Sequence, residues 1–251
     1  MQHPGAFPNP RAYETAFERI DPEEIRFYAH FLNPQDSVLS LGCGSGCVEA
    51  ALKQHLPAGK LLGIDASSEM VERANSRFGG TPGLQFACCT LPQLPDFPEC
   101  TVVISPLLTL NYLTSLTEWT KLMQNLASLP RLREVLIDVL IHTHPLRYQG
   151  VREVGEWHMF EFFDVLETTE FFSTISTRLT YGVGTDSPGV VEAPMALLHP
   201  QRFVRWVGET TPFQVTNFFP PHDFVIPENV PPAEARRALI RLTPKTGEPP
   251  P

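Results

Sequence analysis

Residues 37–46 read Ser-Val-Leu-Ser-Leu-Gly-Cys-Gly-Ser-Gly, a short apolar run that passes directly into three alternating glycines. The apolar half predicts a buried strand, because it is short and ends at a turn signal. Glycines permit a tight turn and leave bare backbone that a ligand can approach. With a helix after it, such a loop presents backbone amides to a nucleotide. Taken alone, a glycine loop is a weak signal.

The next apolar run, residues 61–64, strengthens the signal because it ends at Asp65, 19 residues after Gly46. A carboxylate at the tip of the neighbouring strand can accept two hydrogen bonds from a ribose diol. Hydrogen bonds to a charged acceptor contribute about 1.5–3 kcal/mol each. We therefore expect Asp65 to be a principal affinity residue. The alternative, an ordinary glycine turn beside a surface aspartate, is disfavoured by this spacing.

Strand and helix signals alternate up to residue 141. Residues 21–24, Asp-Pro-Glu-Glu, predict a helix start with an N-cap acid, a proline and acids near the positive helix end. Ser115 and Glu118 predict a capping box for a later helix. Further strands are predicted at residues 84–87, 101–104 and 135–141. This rhythm predicts an α/β fold with a doubly wound, mostly parallel, seven-stranded Rossmann-like sheet.

The pattern changes after this point. Residues 157–198 are rich in Phe, Thr and Val, with a turn signal at 184–189, which predicts inserted antiparallel strands. A helix near 201–208 and strands near 213–219 and 238–242 are predicted to complete the core. We therefore expect an N-terminal helical cap (1–36), a cofactor-binding core (37–141), an inserted antiparallel β subdomain over the substrate site (142–199), and a segment that completes the sheet and ends in a disordered tail (200–251).

Composition narrows the function classes. The 251-residue chain carries a formal charge of -9, and no block of Lys or Arg stands out. Nucleic-acid binding requires concentrated positive charge, so no nucleic-acid partner is expected. No apolar run is long enough to span a bilayer, so we expect no membrane association and a cytoplasmic location. The five cysteines form no CxxC pair, which favours reduced thiols over disulfides or a zinc ribbon.

Four segments of the core resemble motifs of the class I S-adenosylmethionine-dependent methyltransferases. Residues 38–46 resemble motif I, usually acid-x-Gly-x-Gly-x-Gly, and residues 62–70 are similar to the second segment, whose acid holds the cofactor ribose. Residues 84–95 and 101–113 are similar to the third segment and to the fourth strand with its loop. The run Leu-Asn-Tyr-Leu that ends the last segment, followed later by Ile-Asp, is similar to a bacterial small-molecule subgroup with a β insertion after the fifth strand.

The resemblance implies a methyltransferase that moves a methyl group from S-adenosyl-L-methionine to a nitrogen or oxygen of a small-molecule acceptor. This cofactor carries its own activated methyl group, so catalysis by in-line displacement is mainly a matter of positioning and of excluding water. Positioning of this kind contributes on the order of 7–11 kcal/mol. The cofactor-binding residues that the motifs imply are Gly42, Cys43, Gly44, Gly46, Asp65, Ala66, Met70, Thr90, Leu91 and Ser105.

Two positions depart from the family pattern. Ser40 stands where motif I has an acid that helps arrange the glycine loop and the methionine amine. Thr90 stands where the family has an aspartate near the adenine amine. A hydroxyl can accept a hydrogen bond but carries no charge. We therefore expect cofactor binding that is weaker than is usual in the family, or that is compensated elsewhere in the chain.

The candidate catalytic residues are Asp138, Tyr112 and His142. Asp138, near the end of the fifth strand, is a candidate base or orienting group for an amine, although a structural carboxylate is equally compatible with the sequence. Tyr112 is the type of residue that more often packs in the core. His142 and His144 form a His-x-His pair, but the spacing implies no further ligands, so no metal site is predicted.

The candidate acceptor-binding residues come from three parts of the chain. Asn111 follows the fourth strand and is expected to face the methyl group. Trp157 and His158 begin the predicted insertion, which in such methyltransferases covers the acceptor pocket. Tyr13, in the N-terminal segment, is a candidate lid over the cofactor.

Other functions stay open. The departures at Ser40 and Thr90 are compatible with a non-catalytic cofactor-binding regulatory protein, and the fold also serves nicotinamide-dependent oxidoreductases. A methyltransferase acting on a macromolecule is a third alternative. Residues 105–108, Ser-Pro-Leu-Leu, stand where amino-methylating DNA enzymes have Asn/Asp-Pro-Pro-aromatic, which disfavours a DNA substrate. A homodimer is compatible with the sequence but not indicated by it.

Overall fold

The structure is a computed structural model that describes residues 12–14, 22–141, 150–153, 158–182, 189–219 and 236–245. In this part of the chain, every helix is too short or too polar to cross a bilayer.

The helices are α1 (Pro22–Phe31), α2 (Cys47–Lys53), α3 (Ser68–Phe78), a 3-10 helix (Thr109–Tyr112), α4 (Leu116–Ala127) and α5 (Pro200–Thr210). The strands are β1 (Ser37–Leu41), β2 (Lys60–Asp65), β3 (Leu84–Cys88), β4 (Val102–Ser105), β5 (Glu134–Ile141), β6 (Gly150–Glu153), β7 (His158–Thr168), β8 (Phe172–Tyr181), β9 (Gly189–Leu198), β10 (Phe213–Phe219) and β11 (Arg236–Pro244).

The first five strands form a parallel sheet in the order β3-β2-β1-β4-β5. Beyond β5, strand β11 pairs antiparallel with β5, and β10 pairs antiparallel with β11. Apolar clusters cover both faces of this sheet. One contains Trp119 of α4 and Phe203 of α5, and the other contains Tyr28 of α1 and Leu52 of α2. The predicted doubly wound, mostly parallel fold is confirmed.

Helix boundaries follow the local signals in the sequence. Helix α4 begins after Ser115, whose side chain accepts a hydrogen bond from the Glu118 amide while Glu118 returns one to the Ser115 amide, as the predicted capping box requires. Helix α3 begins after Ser67, whose hydroxyl accepts a hydrogen bond from the Met70 amide. Helix α1 begins at Pro22, and its predicted N-cap residue lies outside the described part of the chain.

Strands β6 to β9 form an antiparallel extension in the order β9-β8-β7-β6. It meets the core where Leu198 of β9 pairs with Ile141 at the end of β5. The extension is therefore connected to the carboxyl-terminal edge of the parallel sheet, where ligands of open α/β sheets bind. The predicted turn at 184–189 lies outside the described residues except for Gly189.

Candidate functional site

The glycine loop between β1 and α2 has three residues with positive φ, Gly42, Gly44 and Gly46. A Cβ atom at Gly42 would collide with the Thr109 side chain, and one at Gly46 would lie 2.7 Å from the Phe86 ring. These two glycines therefore make room for the protein's own side chains. The expectation that all three expose backbone to a ligand is too broad.

Gly44 makes room for a side chain of the N-terminal segment. A Cβ atom there would lie 2.9 Å from the hydroxyl oxygen of Tyr13. Tyr13 is buried, and burial together with the Asp65 carboxylate raises the pKa of its phenol. Tyr13 therefore lies over the glycine loop as a neutral phenol, and its role as a lid over the cofactor stays a prediction.

Asp65, the last residue of β2, faces this loop. Its Oδ2 accepts a hydrogen bond of 2.9 Å from the Gly44 amide, and its Oδ1 accepts one of 2.8 Å from the Ser67 amide. A carboxylate oxygen has two lone pairs, so an oxygen bound by a backbone amide can also accept a hydrogen bond from a ligand hydroxyl. The carboxylate thus holds the loop in place at the position predicted for ribose binding.

A second carboxylate, which sequence reasoning missed, lies beneath the loop. Glu49 in the first turn of α2 is fully buried, and its Oε1 accepts a 2.6 Å hydrogen bond from the Ser40 hydroxyl. Within the described residues, its Oε2 has no hydrogen-bond partner. Burial raises the pKa of Glu49 to about 7, against the opposing effect of the Ser40 hydrogen bond. Glu49 lines the same crevice as Gly42, Cys43 and Tyr13.

The N-terminal segment, residues 12–14, closes the crevice from above. The Tyr13 ring packs edge-on against Tyr181 of β8, with 6.4 Å between ring centroids. Glu14 accepts hydrogen bonds from Arg73 and Arg77 of α3, at 2.7 Å from Arg73 Nη2. Ala12 lies against Gly182, where a Cβ atom would come within 2.7 Å of the Ala12 Cβ. The segment therefore contacts the glycine loop, α3 and the antiparallel extension at once.

The remaining predicted cofactor residues follow the ends of adjacent parallel strands. Ala66 is half-buried after β2, Thr90 is exposed after β3, and Leu91 is half-buried against the core. Ser105 ends β4, is fully buried and, within the described residues, has no hydrogen-bond partner for its Oγ. Met70 is buried beside Tyr13. Burial raises the pKa of the Cys43 thiol, which keeps it protonated.

Asp138 does not have the surroundings expected of a catalytic base. It is fully buried, and both of its carboxylate oxygens accept hydrogen bonds from Arg237 Nε, at 2.7 and 2.8 Å. Arg237 also donates a 2.7 Å hydrogen bond to Glu24 of α1. The carboxylate is therefore already neutralised by an ion pair that ties β5 to β11 and α1. This placement contradicts the predicted catalytic role.

The side chain of Asn111 also has a structural role. Its fully buried amide donates hydrogen bonds to the Leu140 and Ala196 carbonyls and accepts a 2.9 Å bond from the Leu140 amide. The side chain thus joins β5 to β9, which contradicts a direct contact with acceptor. The neighbouring Tyr112 is half-buried, and burial raises its pKa. Its phenol stays protonated near neutral pH, so it can donate a hydrogen bond but not act as a base.

Three of the predicted residues, His142, His144 and Trp157, lie outside the described residues. His158 is described as the first residue of β7, without its side chain.

Sequence comparison matches part of this chain to known methyltransferases. A family model described as a methyltransferase domain matches residues 38–131. A malonyl-[acyl-carrier protein] O-methyltransferase from Herminiimonas arsenicoxydans is 39% identical over 71 residues, 28% of this chain and 25% of the relative. An uncharacterised 37.1 kDa transposon protein from Streptomyces fradiae is 38% identical over 63 residues, 25% of this chain and 18% of the relative. The chain spans about a quarter or less of the length of the curated relatives it matches.

Structural comparison covers almost the whole chain. The CcbJ methyltransferase from Streptomyces caelestis has a TM-score of 0.64 at 16% identity, with 89% of this chain and 90% of that chain covered. An S-adenosylmethionine-bound amino pentose methyltransferase, CalS10 from Micromonospora echinaspora, has a TM-score of 0.60 at 13% identity, with 94% and 95% covered. At these identities the likeness establishes the fold. Residues 38–131 are therefore similar to a methyltransferase domain, and the chain has the fold of these solved methyltransferases.

Proposed function

We propose that this protein transfers a methyl group from S-adenosylmethionine to an amine or hydroxyl of a small molecule. The observation that carries the proposal is a crevice lined by Gly42, Glu49 and Tyr13, beside a glycine loop whose Gly44 amide donates a hydrogen bond to Asp65. It lies at the carboxyl ends of the parallel strands, where open α/β sheets bind their ligands.

The residues of this crevice fit the proposed cofactor. Gly42 and Cys43 of the glycine loop line the crevice, and Asp65 places a carboxylate where ribose hydroxyls are held in this fold. The partnerless oxygen of Glu49, within the described residues, is suited to a positively charged donor. The cofactor supplies an activated methyl group on a sulfonium. The protein therefore needs to bind, orient and shield it.

The chain's own contribution is to position the reactants and to exclude water. Tyr13, Met70, Leu179 and Tyr181 form a buried apolar cluster beside the crevice, which keeps bulk water from this side. Tyr112 packs against the same cluster and can donate a hydrogen bond to an acceptor, since its phenol stays protonated. An acceptor amine in its neutral form needs no protein base before it attacks, because its lone pair is already available.

The names of similar proteins support a nitrogen or oxygen nucleophile, and the names of two structural neighbours support a small acceptor. The structural neighbours include an amino pentose methyltransferase and a glycopeptide N-methyltransferase. The relative from Herminiimonas arsenicoxydans is named as an O-methyltransferase of a carrier-protein-bound acid. The net charge of -9 argues against a nucleic-acid substrate.

Calorimetry tests the cofactor half of the proposal. We expect S-adenosylhomocysteine to bind and NAD(H) not to bind. Asp65→Ala should weaken S-adenosylhomocysteine binding at least tenfold, because the ribose loses its charged acceptor. The conservative variant Asp65→Asn separates loss of charge from loss of the hydrogen bonds that hold Gly44 and Ser67. Binding of NAD(H) without S-adenosylhomocysteine, or unchanged affinity in folded Asp65→Ala, would contradict the assignment.

Turnover assays test whether the protein transfers the methyl group. A panel of small amines, phenols, alcohols and carboxylates, assayed for S-adenosylhomocysteine formation, should contain at least one acceptor that the protein methylates. Tight cofactor binding with no turnover on any member of a broad panel would favour the non-catalytic binding protein instead.

A further inference from the structure

Glu49 has a buried carboxylate oxygen whose loss of hydration is not compensated by a hydrogen bond within the described residues. The side chain is 0% exposed, and the Ser40 hydroxyl binds one of its two oxygens. The second oxygen, Oε2, has no partner among the described residues. A buried polar atom without a hydrogen bond destabilises the folded state, and more so when it is charged, so native proteins rarely contain one. A ligand in the crevice that Glu49 lines could supply the missing hydrogen bond.

The surroundings of Glu49 select for a positive ligand. Asp65 on β2 and Glu24 on α1 both raise its pKa, and the other ionisable groups that interact with it are Tyr13, Tyr28 and Cys43. These three are neutral near pH 7, since burial raises the pKa of each. A cation that entered the crevice would be favoured by both carboxylates, and an anion would be repelled.

Resting on the proposed function, we propose that Glu49 binds the α-ammonium group of the methionine part of the cofactor. It would thereby supply from α2 the carboxylate that β1 lacks, because Ser40 stands at the motif position. The Ser40 hydroxyl then has a defined task, since its hydrogen bond fixes Oε1 and leaves Oε2 for the ligand. Ser40 is a positioning residue, and Glu49 is the residue that touches the cofactor.

This assignment couples cofactor binding to a proton. The pKa of Glu49 is raised to about 7, so in the free protein about half of the molecules carry a neutral Glu49 at that pH. An ammonium group requires the ionised form, and binding therefore releases the remaining protons. As the pH falls from about 8 to about 6, the affinity for a ligand that carries the ammonium should decrease roughly tenfold.

Two ligands that differ in the amino-acid part, which carries the ammonium and an α-carboxylate, provide the test together with a variant of Glu49. S-adenosylhomocysteine carries the amino-acid part, and 5′-methylthioadenosine has the same nucleoside without it. We expect Glu49→Gln to weaken binding of S-adenosylhomocysteine at least tenfold in calorimetry and to leave 5′-methylthioadenosine within twofold. The matched control is Glu69→Gln, which removes one carboxylate from an exposed position in the first turn of α3 and should change neither affinity.

The outcomes separate this inference from the proposed function. Equal weakening of both ligands, or no weakening of S-adenosylhomocysteine, would overturn the role of Glu49 while the cofactor assignment stands. If the unmodified protein binds neither ligand, the proposed function is wrong and the inference falls with it.

A measurement on the unmodified protein applies even if Glu49→Gln does not fold. Calorimetry at pH 7 in buffers of different ionisation enthalpy reports the number of protons released on binding. We expect net proton release with S-adenosylhomocysteine and none with 5′-methylthioadenosine. Equal proton release with both ligands, or none with either, would contradict the assignment.

Discussion

Two buried acidic regions lie on the same side of the sheet and have opposite environments. Beneath α1, Asp138 is held by Arg237, which also binds Glu24. Beneath the glycine loop, one oxygen of Glu49 accepts a hydrogen bond from the Ser40 hydroxyl, and the other has no hydrogen-bond partner within the described residues. Both Asp138 and Glu49 are fully buried. The difference teaches that burial of a carboxylate does not mark a functional site. What distinguishes the two is whether the protein itself has already satisfied the charge.

The largest effect on stability is expected around Asp138, whose charge is paired with Arg237. Arg237→Met leaves Asp138 and Glu24 buried without their cation, so we expect the free energy of unfolding to decrease by about 3–5 kcal/mol. Urea denaturation monitored by circular dichroism measures it. The matched control is Arg178→Met, which breaks the exposed pair with Glu192 and should cost less than about 1 kcal/mol. Similar losses in both variants would remove the distinction between the two regions.

An effect on stability of intermediate size, which depends on pH, is expected at Glu49, because its Oε2 has no hydrogen-bond partner within the described residues. The pKa of Glu49 is about 7 in the folded protein and near 4.5 as its ordinary value. The folded protein favours the protonated form of Glu49. The stability that comes from this preference is therefore fully present below about pH 4.5 and is lost as the pH rises through 7. The shift corresponds to about 3 kcal/mol at pH 8.

Glu49→Gln should remove this dependence. We expect the variant to be more stable than the unmodified protein at pH 8 and nearly equal to it at pH 5. Thermal denaturation across that range, without cofactor, measures the difference. A stability difference that does not vary between pH 5 and pH 8 would show that Glu49 does not carry a buried charge.

The smallest effect is expected beside the crevice, where a third carboxylate, Glu14, is buried but paired with two partly exposed arginines. Glu14 accepts hydrogen bonds from Arg73 and Arg77, and the Arg73 hydrogen bond lowers its pKa. Glu14→Gln should cost less than about 1 kcal/mol of stability, because Arg73 is about half exposed and water screens the pair. Association of S-adenosylhomocysteine, followed by stopped-flow fluorescence, should become faster. An unchanged rate would show that the N-terminal segment does not limit entry.

The fold was predictable because its signals are local. The apolar run and glycines of residues 37–46 predict β1 with the bounds observed, and the strand at 213–219 is also observed as predicted. Asp65 was identifiable for the same reason, since a strand tip and a spacing suffice. Each of these inferences requires only a short window of sequence.

The parts that sequence reasoning missed depend on contacts between distant segments. Asp138 and Arg237 are 99 residues apart, so the cation that neutralises the carboxylate could not be assigned from the local pattern. The contact between Thr109 and Gly42 could not be predicted either, because these two residues are also far apart in the sequence. Glu49 did leave a signal, because it stands between the buried Val48 and Leu52 on α2. An acid among the buried positions of an amphipathic helix indicates a charge that needs a partner.

The N-terminal segment has a consequence for how ligands reach the crevice. Within three consecutive residues, Ala12 contacts Gly182, Tyr13 contacts Gly44 and Tyr181, and Glu14 contacts α3. A displacement of Tyr13 therefore uncovers the nucleotide loop and the face of β8 in a single movement. One side chain covers both surfaces, so a displacement that exposes one of them also exposes the other.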